Sequence, residues 1–274
     1  MNVGASRRNG ALLSALAWIV GLGMFFPVLW MVLTAFKQER DAFTSPPKFV
    51  FSPTLDQFRA IFDGGLGTAL LNSAWTTLAS TLLVLLLALP CAYALSVRPV
   101  EKWRDVLFFF LSTRMLPIVG AIVPIYVIAR DISMLDNVWT LVVLYTAINL
   151  PIAVWMLRSF MSEVPTEVLE ASRVDGASLW QEATKVLFPM IAPGVAATAL
   201  ICVIFAWNEF FLAVNLTSVR AQTVPVYLVG FITSEGAFWA RLSAAATLAA
   251  IPVLLAGWIA QRYLVRGLTL GAIK

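Results

Sequence analysis

Six long apolar runs restrict the folds that this sequence can adopt. They cover approximately residues 11–35, 72–96, 106–129, 138–157, 191–214 and 242–265. Crossing about 30 Å of hydrocarbon takes about 20 helical residues, and a helix satisfies its own backbone hydrogen bonds there. Only 12% of the residues are charged and 60% are hydrophobic, against about 25% and about 45–50% in soluble domains. The sequence therefore predicts an all-α, polytopic membrane protein with six transmembrane helices.

The lysines and arginines indicate how these helices are oriented. Arg7 and Arg8 precede the first run, which at about 25 residues is longer than the core of a signal peptide and is expected to be an uncleaved span. With the N-terminus inside, eleven basic residues lie on the inner side, seven lie on the outer side, and Arg114 lies within a span. This excess follows the positive-inside rule, and the basic turn 98–105 is its clearest case. We expect both termini and the polar stretch 161–190 to face the cytoplasm.

The composition argues against most catalytic and metal-binding functions. The chain contains no His, which excludes His-based catalysis and the HExxH metal signature. Cys91 and Cys202 lie in apolar runs, where they are expected to be small buried hydrophobic residues. Membrane orientation explains the net charge of +4, and no basic stripe with interleaved aromatics points to nucleic acid. No GxxxxGK[ST] loop occurs, so ATP hydrolysis would have to come from another protein.

A polar, Pro-rich segment, residues 37–68, follows the first run. Its three prolines prevent a long helix over the first part of the segment. Residues 54–62 are expected to form a short helix at the membrane interface. Thr54 would be its N-cap, and Gln57 would complete a capping box.

The stretch 161–190 is the one long polar passage between two apolar runs on the inner side. A first short helix is expected after Pro165, a residue that suits a first helical turn, and Asp175-Gly176 would end it. One face of this helix would be acidic and the neighbouring face apolar. The acidic residues are Glu163, Glu167 and Glu170, and the apolar ones are Val164, Val168 and Ala171.

A second short helix is expected to begin at Ser178, where Gln181 completes a capping box. Its apolar face would consist of Leu179 or Trp180, Ala183 and Leu187, and Pro189 would mark the entry to the fifth span. A solvated loop is the alternative. The length of the stretch and the presence of Trp180 instead favour a docking surface for a separate protein that supplies energy.

The same stretch resembles the cytoplasmic loop of binding-protein-dependent ABC importer permeases. That loop has the pattern Glu-Ala-Ala, three residues, Gly, nine residues, Ile-x-Leu-Pro. Here Glu170-Ala171-Ser172 is followed by three residues, Gly176, nine residues and Val186-Leu187-Phe188-Pro189, so that only conservative replacements depart from the pattern. The six spans, the external Pro-rich segment, FAWNEFFLA in the fifth span and the tail RGLTLGAIK resemble the carbohydrate-uptake branch, in particular the smaller permease of maltose-type importers.

The resemblance implies a type I ABC importer permease fold, in which the loop is a coupling helix seated in an ATP-hydrolysing subunit. Residues 1–68 would form the first helix with the external segment, residues 69–265 the permease core and residues 266–274 a cytoplasmic tail. The residues expected to couple to the ATPase are Glu167, Glu170, Ala171, Ser172, Asp175, Gly176, Ala177, Trp180 and Pro189.

The resemblance also implies partners and a location. The expected partners are a second permease subunit in a heterodimer, two ATP-binding subunits, an extracytoplasmic solute-binding protein and membrane lipid. ATP and Mg²⁺ would be bound by the ATP-binding subunits, and this chain would hold no cofactor. The location would be the bacterial plasma (inner) membrane.

Polar and aromatic residues within the spans are candidates for a substrate pathway. Arg114 stands out, because an Arg at the bilayer centre costs about 2.5–3.5 kcal/mol on insertion scales and needs a partner, such as Glu209, or an aqueous cavity. The other candidates, which could bind hydroxyl groups or stack on sugar rings, are Tyr126, Tyr145, Asn149, Trp207, Asn208 and Glu209. A purely structural role is the alternative for each.

Three functions remain open from the sequence. Uptake of a sugar or sugar alcohol is implied by the resemblance, and importers of amino acids or peptides carry a similar loop. The third is a stand-alone carrier driven by protons or sodium. The scarcity of intramembrane acids and the absence of an evident internal repeat argue against that carrier.

Overall fold

The computed structural model describes residues 3–98, 100–234 and 236–271, with side chains from Leu13 to Gln261. Residues 272–274 of the predicted tail lie outside this part of the chain. Most of the described residues are helical, as predicted. The elements are α1 (Val3–Ala35), α2 (Glu39–Ala42), α3 (Asp56–Asp63), α4 (Leu66–Ser96), α5 (Trp103–Met115), α6 (Ile118–Asp131), α7 (Val138–Ser162), α8 (Thr166–Val174), α9 (Leu179–Gln181), a π-helical segment (Glu182–Leu187), α10 (Phe188–Trp207), α11 (Phe211–Leu216), α12 (Val224–Val229), β1 (Ile232–Thr233), β2 (Gly236–Ala237) and α13 (Trp239–Gly271).

Five helices among the described residues are long and apolar enough to cross a membrane, and α5 with α6 supplies a sixth crossing if the two are counted together. The five are Leu13–Ala35 in α1, α4, α7, Leu179–Trp207, and Trp239–Gln261 in α13. These spans confirm the predicted polytopic, all-α class. In the described part of the chain, the strands are one two-residue antiparallel pair, β1 with β2, which precedes α13.

The third predicted span, residues 106–129, is wrong as a single helix. α5 ends at Met115, α6 begins at Ile118, and their axes differ by 86°. Pro117 explains the break, because a residue before proline is driven out of the helical conformation. Leu116 is accordingly extended, with ψ 128°.

The predicted limits of the fifth span, residues 191–214, are also wrong. The helical chain begins earlier, at Leu179, and runs through the π-helical segment to Trp207. A separate helix, α11, follows because the Glu209 carboxylate accepts hydrogen bonds from the backbone N–H groups of Leu212 (2.9 Å) and Ala213 (3.2 Å) in its first turn. These bonds satisfy donors that a helix start leaves unpaired.

The chain divides into two compact units. The first contains the described residues up to Leu66 together with Leu228–Ala250. In it, the buried ammonium of Lys37 lies over the Trp30 ring at 3.9 Å, and Gln57 donates to the Lys37 carbonyl. The predicted capping box is therefore wrong: α3 begins at Asp56, and Gln57 is used elsewhere. The Thr54 hydroxyl instead accepts from the backbone N–H of Asp56.

The second unit contains Gly67–Tyr227 and the residues from Ile251 onward. Its main core lies between α4, α7 and α10. The buried residues of this core include Val84, Ala88, Ala153, Leu157 and Ile191. At Gly194 an added Cβ would overlap the Phe160 ring, so α7 and α10 pack closely only because this position has no side chain.

One carboxylate organises the loop that follows α11. Asp136 accepts hydrogen bonds from four consecutive backbone N–H groups, those of residues 218–221, at 2.8–3.2 Å. Burial works to raise the pKa of Asp136, but these four bonds outweigh it and hold the pKa below its ordinary value. The loop is therefore fixed by a charged group.

Candidate coupling site and substrate pathway

The turn after α8 is closed by a glycine in the left-handed conformation. Gly176 has φ +80°. Its N–H donates to the Arg173 carbonyl, and the N–H of Ala177 donates to the Ser172 carbonyl, each at 3.0 Å. This pair of bonds is the Schellman motif, which favours glycine at the position that Gly176 occupies. The turn predicted from Asp175-Gly176 is confirmed.

A capping box begins the second helix, as predicted. The Ser178 hydroxyl accepts from the Gln181 N–H, and the Gln181 side chain accepts from the Ser178 N–H at 2.8 Å. Because both ends of the turn are satisfied by local bonds, the geometry of α8 and α9 is set within residues 166–181. We call these residues the knob.

The outer surface of the knob combines acidic and apolar side chains. Glu167, Glu170 and Ala171 are exposed on α8, and Trp180 is 76% exposed at the tip. Val174 and Leu179 add to the exposed apolar surface. Exposed apolar side chains grouped in this way are typical of an interaction site.

The predicted faces of the two short helices need correction. Val168 and Ala171 are exposed, and the face of α8 that packs inward is formed by Leu169 and Ser172. Glu163 lies outside α8, where it caps the C-terminus of α7. The predicted apolar face of the second helix is exposed at Leu179 and Trp180 and buried only at Leu187.

Of the remaining coupling candidates, Asp175 and Ala177 lie in the turn of the knob and Pro189 lies beyond it. Asp175 is the C-cap of α8, and Ala177 is half-buried. Pro189 lies in the first turn of α10, as its predicted place at the entry to the fifth span requires. A cleft of about 310 Å³ opens beside α8, and its lining includes Ser96, Ser162, Glu170 and Arg173.

A buried carboxylate under the knob was not among the predicted residues. Glu182 is fully buried at the start of the π-helical segment. The hydrogen bond that Arg173 donates to it raises the pKa of this guanidinium above its ordinary value. The sequence carries no signal for this contact, because a π-helical turn has no recognisable pattern.

Arg114 binds groups other than the expected acid. Its guanidinium donates to the Ile148 carbonyl in α7 at 2.7 Å and lies 5.0 Å from the centre of the Phe205 ring. No ion pair joins it to Glu209 or Asp105 within the described residues. Arg114 therefore links α5, α7 and α10 through a carbonyl and an aromatic ring.

Two of the remaining candidates are buried together on α7. Asn149 donates to the Tyr145 carbonyl at 3.0 Å, whereas its own Oδ1 and the Tyr145 hydroxyl have no hydrogen-bond partner that meets geometric criteria. The Tyr145 hydroxyl interacts electrostatically with the Glu209 carboxylate. Buried polar atoms usually have partners, so the Asn149 Oδ1 is the acceptor of this pair that is left available.

The other pathway candidates are Trp207, Asn208 and Tyr126. Trp207 is buried at the end of α10, and Asn208 donates to the Ile204 carbonyl. Tyr126 is exposed on α6, and no hydrogen bond or ring contact in the described residues joins it to the others. No group of three His, Cys, Asp or Glu suited to a metal ion occurs in that part of the chain.

A match to a known family includes the knob and the helices on both sides of it. Residues 64–270 match the family described as binding-protein-dependent transport system inner membrane component. The chain belongs to this family. As an inner-membrane transport component it is a multi-pass membrane protein, and the match contains the whole knob.

Relatives extend the similarity over nearly the full chain. The probable ABC transporter permease protein y4oR of Sinorhizobium fredii is 38% identical, with 98% of each chain covered. The diacetylchitobiose uptake system permease protein DasC of Streptomyces coelicolor is 34% identical, covering 94% of this chain and 95% of DasC. The trehalose transport system permease protein SugB of Mycobacterium tuberculosis is 33% identical, covering 93% and 94%.

A solved structure shares the fold of this transport component. It is a bacterial ABC transporter involved in the import of the acidic polysaccharide alginate, matched with a TM-score of 0.76 over 96% of this chain and 99% of that chain. The sequences are only 22% identical, so the likeness concerns the fold. It agrees with the predicted type I importer permease fold.

Proposed function

We propose that this chain is the membrane-spanning permease subunit of an ATP-driven ABC importer for a carbohydrate, a sugar or sugar alcohol. The observation that carries the proposal is the knob: a glycine-closed pair of helices that exposes Trp180 beside acidic side chains. A chain without a phosphate-binding loop can receive the energy of ATP only through contact with another protein. ATP and Mg²⁺ would then be bound by that protein, with no cofactor held here.

The carbohydrate class is supported by the relatives and by the bundle interior. DasC and SugB are named for uptake of diacetylchitobiose and trehalose. The buried Asn149 Oδ1 would suit a hydroxyl donor of a polyhydroxyl solute, because leaving a buried acceptor without a partner costs free energy. Arg114, Tyr126, Trp207, Asn208 and Glu209 are the further pathway candidates.

The partners follow from the same proposal. The knob would contact one of two ATP-binding subunits, and a second permease subunit would complete the translocation pathway as a heterodimer. An extracytoplasmic solute-binding protein would deliver the carbohydrate. Both termini and the knob would face the cytoplasm, which the excess of basic residues on that side supports.

Co-purification tests the coupling contact directly. Trp180→Ala is expected to reduce the amount of ATPase subunit retained by about tenfold or more, because large aromatic side chains at the centre of an interface contribute about 2 kcal/mol or more. Trp18→Ala is the matched control, since Trp18 is 71% exposed in α1 and is not one of the knob residues. It should leave retention unchanged.

Two results would contradict this proposal. Full retention of the ATPase subunit by Trp180→Ala would remove the knob as the contact. Stimulation of the assembled ATPase by amino acids or peptides, and not by carbohydrates, would assign the importer to another substrate class.

A further inference from the structure

The carboxylate of Glu182 joins four parts of the permease core. It accepts hydrogen bonds from Nε of Arg173 (2.6 Å), from a terminal nitrogen of Arg173 (3.1 Å) and from the Tyr93 hydroxyl (2.5 Å). A guanidinium nitrogen of Arg98 lies 3.8 Å away. Tyr93 is on α4, Arg98 follows α4, Arg173 is on α8, and Glu182 begins the segment that leads into α10.

The π-helical segment places this carboxylate in the interior. Hydrogen bonding between residues five apart aligns Glu182 with Leu187, and both are fully buried. On an α-helix with 3.6 residues per turn the same two side chains would point about 140° apart. The π-helical turn therefore lets one face of this segment place the Glu182 carboxylate under the knob and the Leu187 side chain in the apolar core.

Between α8 and α10 the chain departs from the regular α-helix at two places, and each is a point where it can bend. One is the turn at Gly176, and the other is the π-helical segment itself. The Arg173–Glu182 pair bypasses the turn, because it connects the body of α8 to the start of that segment. The Tyr93–Glu182 hydrogen bond connects the same point to α4, to which the knob has no covalent link nearby.

We propose that Glu182, held by Arg173 and Tyr93, is a positioning residue that makes the knob move as one body with α4 and α10. The inference rests on the proposed function, in which an ATPase subunit moves the knob. A buried carboxylate with two donors to one side and one to the other has a single well-defined position. Displacement of α8 would then be transmitted to both membrane helices instead of being absorbed at the turn.

The experiment uses the assembled importer in proteoliposomes, with solute-binding protein and ATPase subunits. The first measurement is the number of solute molecules imported per ATP hydrolysed. Glu182→Gln is expected to lower it by about tenfold, the effect of weakening hydrogen bonds to a charged group. Glu101→Gln is the matched control, because Glu101 is exposed in the turn before α5. It should keep the wild-type ratio.

Tyr93→Phe separates positioning from mere stability. It removes one hydroxyl and leaves the Arg173–Glu182 pair in place, so the complex should unfold at nearly the wild-type temperature. The solute imported per ATP should nevertheless fall several-fold, because the link to α4 is lost. This variant also decides the question if Glu182→Gln fails to assemble.

The second measurement, hydrogen exchange over residues 166–187, does not depend on transport. Glu182→Gln should exchange faster there than Glu101→Gln. Equal exchange, or a wild-type transport ratio in both Glu182→Gln and Tyr93→Phe, would overturn the inference. A wild-type complex that imports no carbohydrate would overturn the proposed function instead, and exchange alone would then decide whether Glu182 holds the knob.

Discussion

Replacing Gly176 by alanine tests how far coupling depends on the left-handed turn of the knob. The residue has φ +80°, and no atom lies within 4 Å of the position that a Cβ would take. Crowding by neighbours therefore contributes nothing, and the whole cost comes from the left-handed backbone. For an L-residue this cost is about 1–2 kcal/mol, which lowers the population of the closed turn by a factor of about 5–30.

The expected result is a graded loss of coupling with intact membrane insertion. Solute-stimulated ATPase activity of the assembled importer should fall by about 5–30-fold in Gly176→Ala. Gly176→Leu should behave similarly, because space is open, and Gly176→Asn should lose less, because Asn tolerates this conformation better. The assay is ATP hydrolysis with and without solute-loaded binding protein.

Gly65 provides the control for this experiment. It has φ +96° and equally open surroundings, but it lies between α3 and α4, outside the knob. Gly65→Ala should therefore lose similar local stability and still retain the ATPase subunits. Wild-type stimulation in Gly176→Ala would refute the argument that the left-handed turn sets the coupling geometry.

Three further variants test other parts of the structure. Asp136→Asn should speed hydrogen exchange over residues 218–221. Because the pKa of Asp136 is held below the ordinary carboxyl value of 3.8, its contribution to stability is present above that value and is lost as the pH falls below it, a dependence that the Asn variant should lack. Gly194→Ala should destabilise the α7–α10 contact by about 1–3 kcal/mol through overlap with Phe160, seen as a lower unfolding temperature in detergent, whereas Gly257→Ala on α13, with open space around it, should not. Arg114→Ala should change the KM or the rate of solute uptake several-fold, and unchanged values for both would remove Arg114 from the pathway.

The membrane spans could be predicted because length and polarity determine them. Every predicted apolar run corresponds to helical structure. The errors occur where single side chains act locally. Pro117 breaks the third run by forcing Leu116 into an extended conformation, and the Glu209 side chain starts a new helix at the end of the fifth. Apolar periodicity carries no information about either event.

Some features of the knob could be predicted from the sequence, and others could not. The Gly176 turn and the Ser178 capping box depend on bonds within a few residues, so their residue types signal them directly. The direction in which each short helix faces depends on distant helices, so the sequence did not identify Leu169 and Ser172 as the side of α8 that packs inward. Glu182 shows the limit most clearly, because its partner Tyr93 is 89 residues away in sequence.

The pathway candidates remain predictions. Polarity within a span identified Tyr145 and Asn149, which the structure buries together on α7. It could not foresee that Arg114 bonds a backbone carbonyl instead of an acid. Side-chain partners of this kind depend on which helices become neighbours.

Solute uptake by the reconstituted importer tests the central claim most directly. Proteoliposomes containing this chain, its partner permease and the ATPase subunits should accumulate a carbohydrate delivered by the solute-binding protein only when ATP is present on the side of the knob. Omitting the ATPase subunits should abolish accumulation, and replacing Trp180 by Ala should lower it by about tenfold or more. Accumulation of the same solute by this chain alone, without ATP and driven by an ion gradient, would contradict the account.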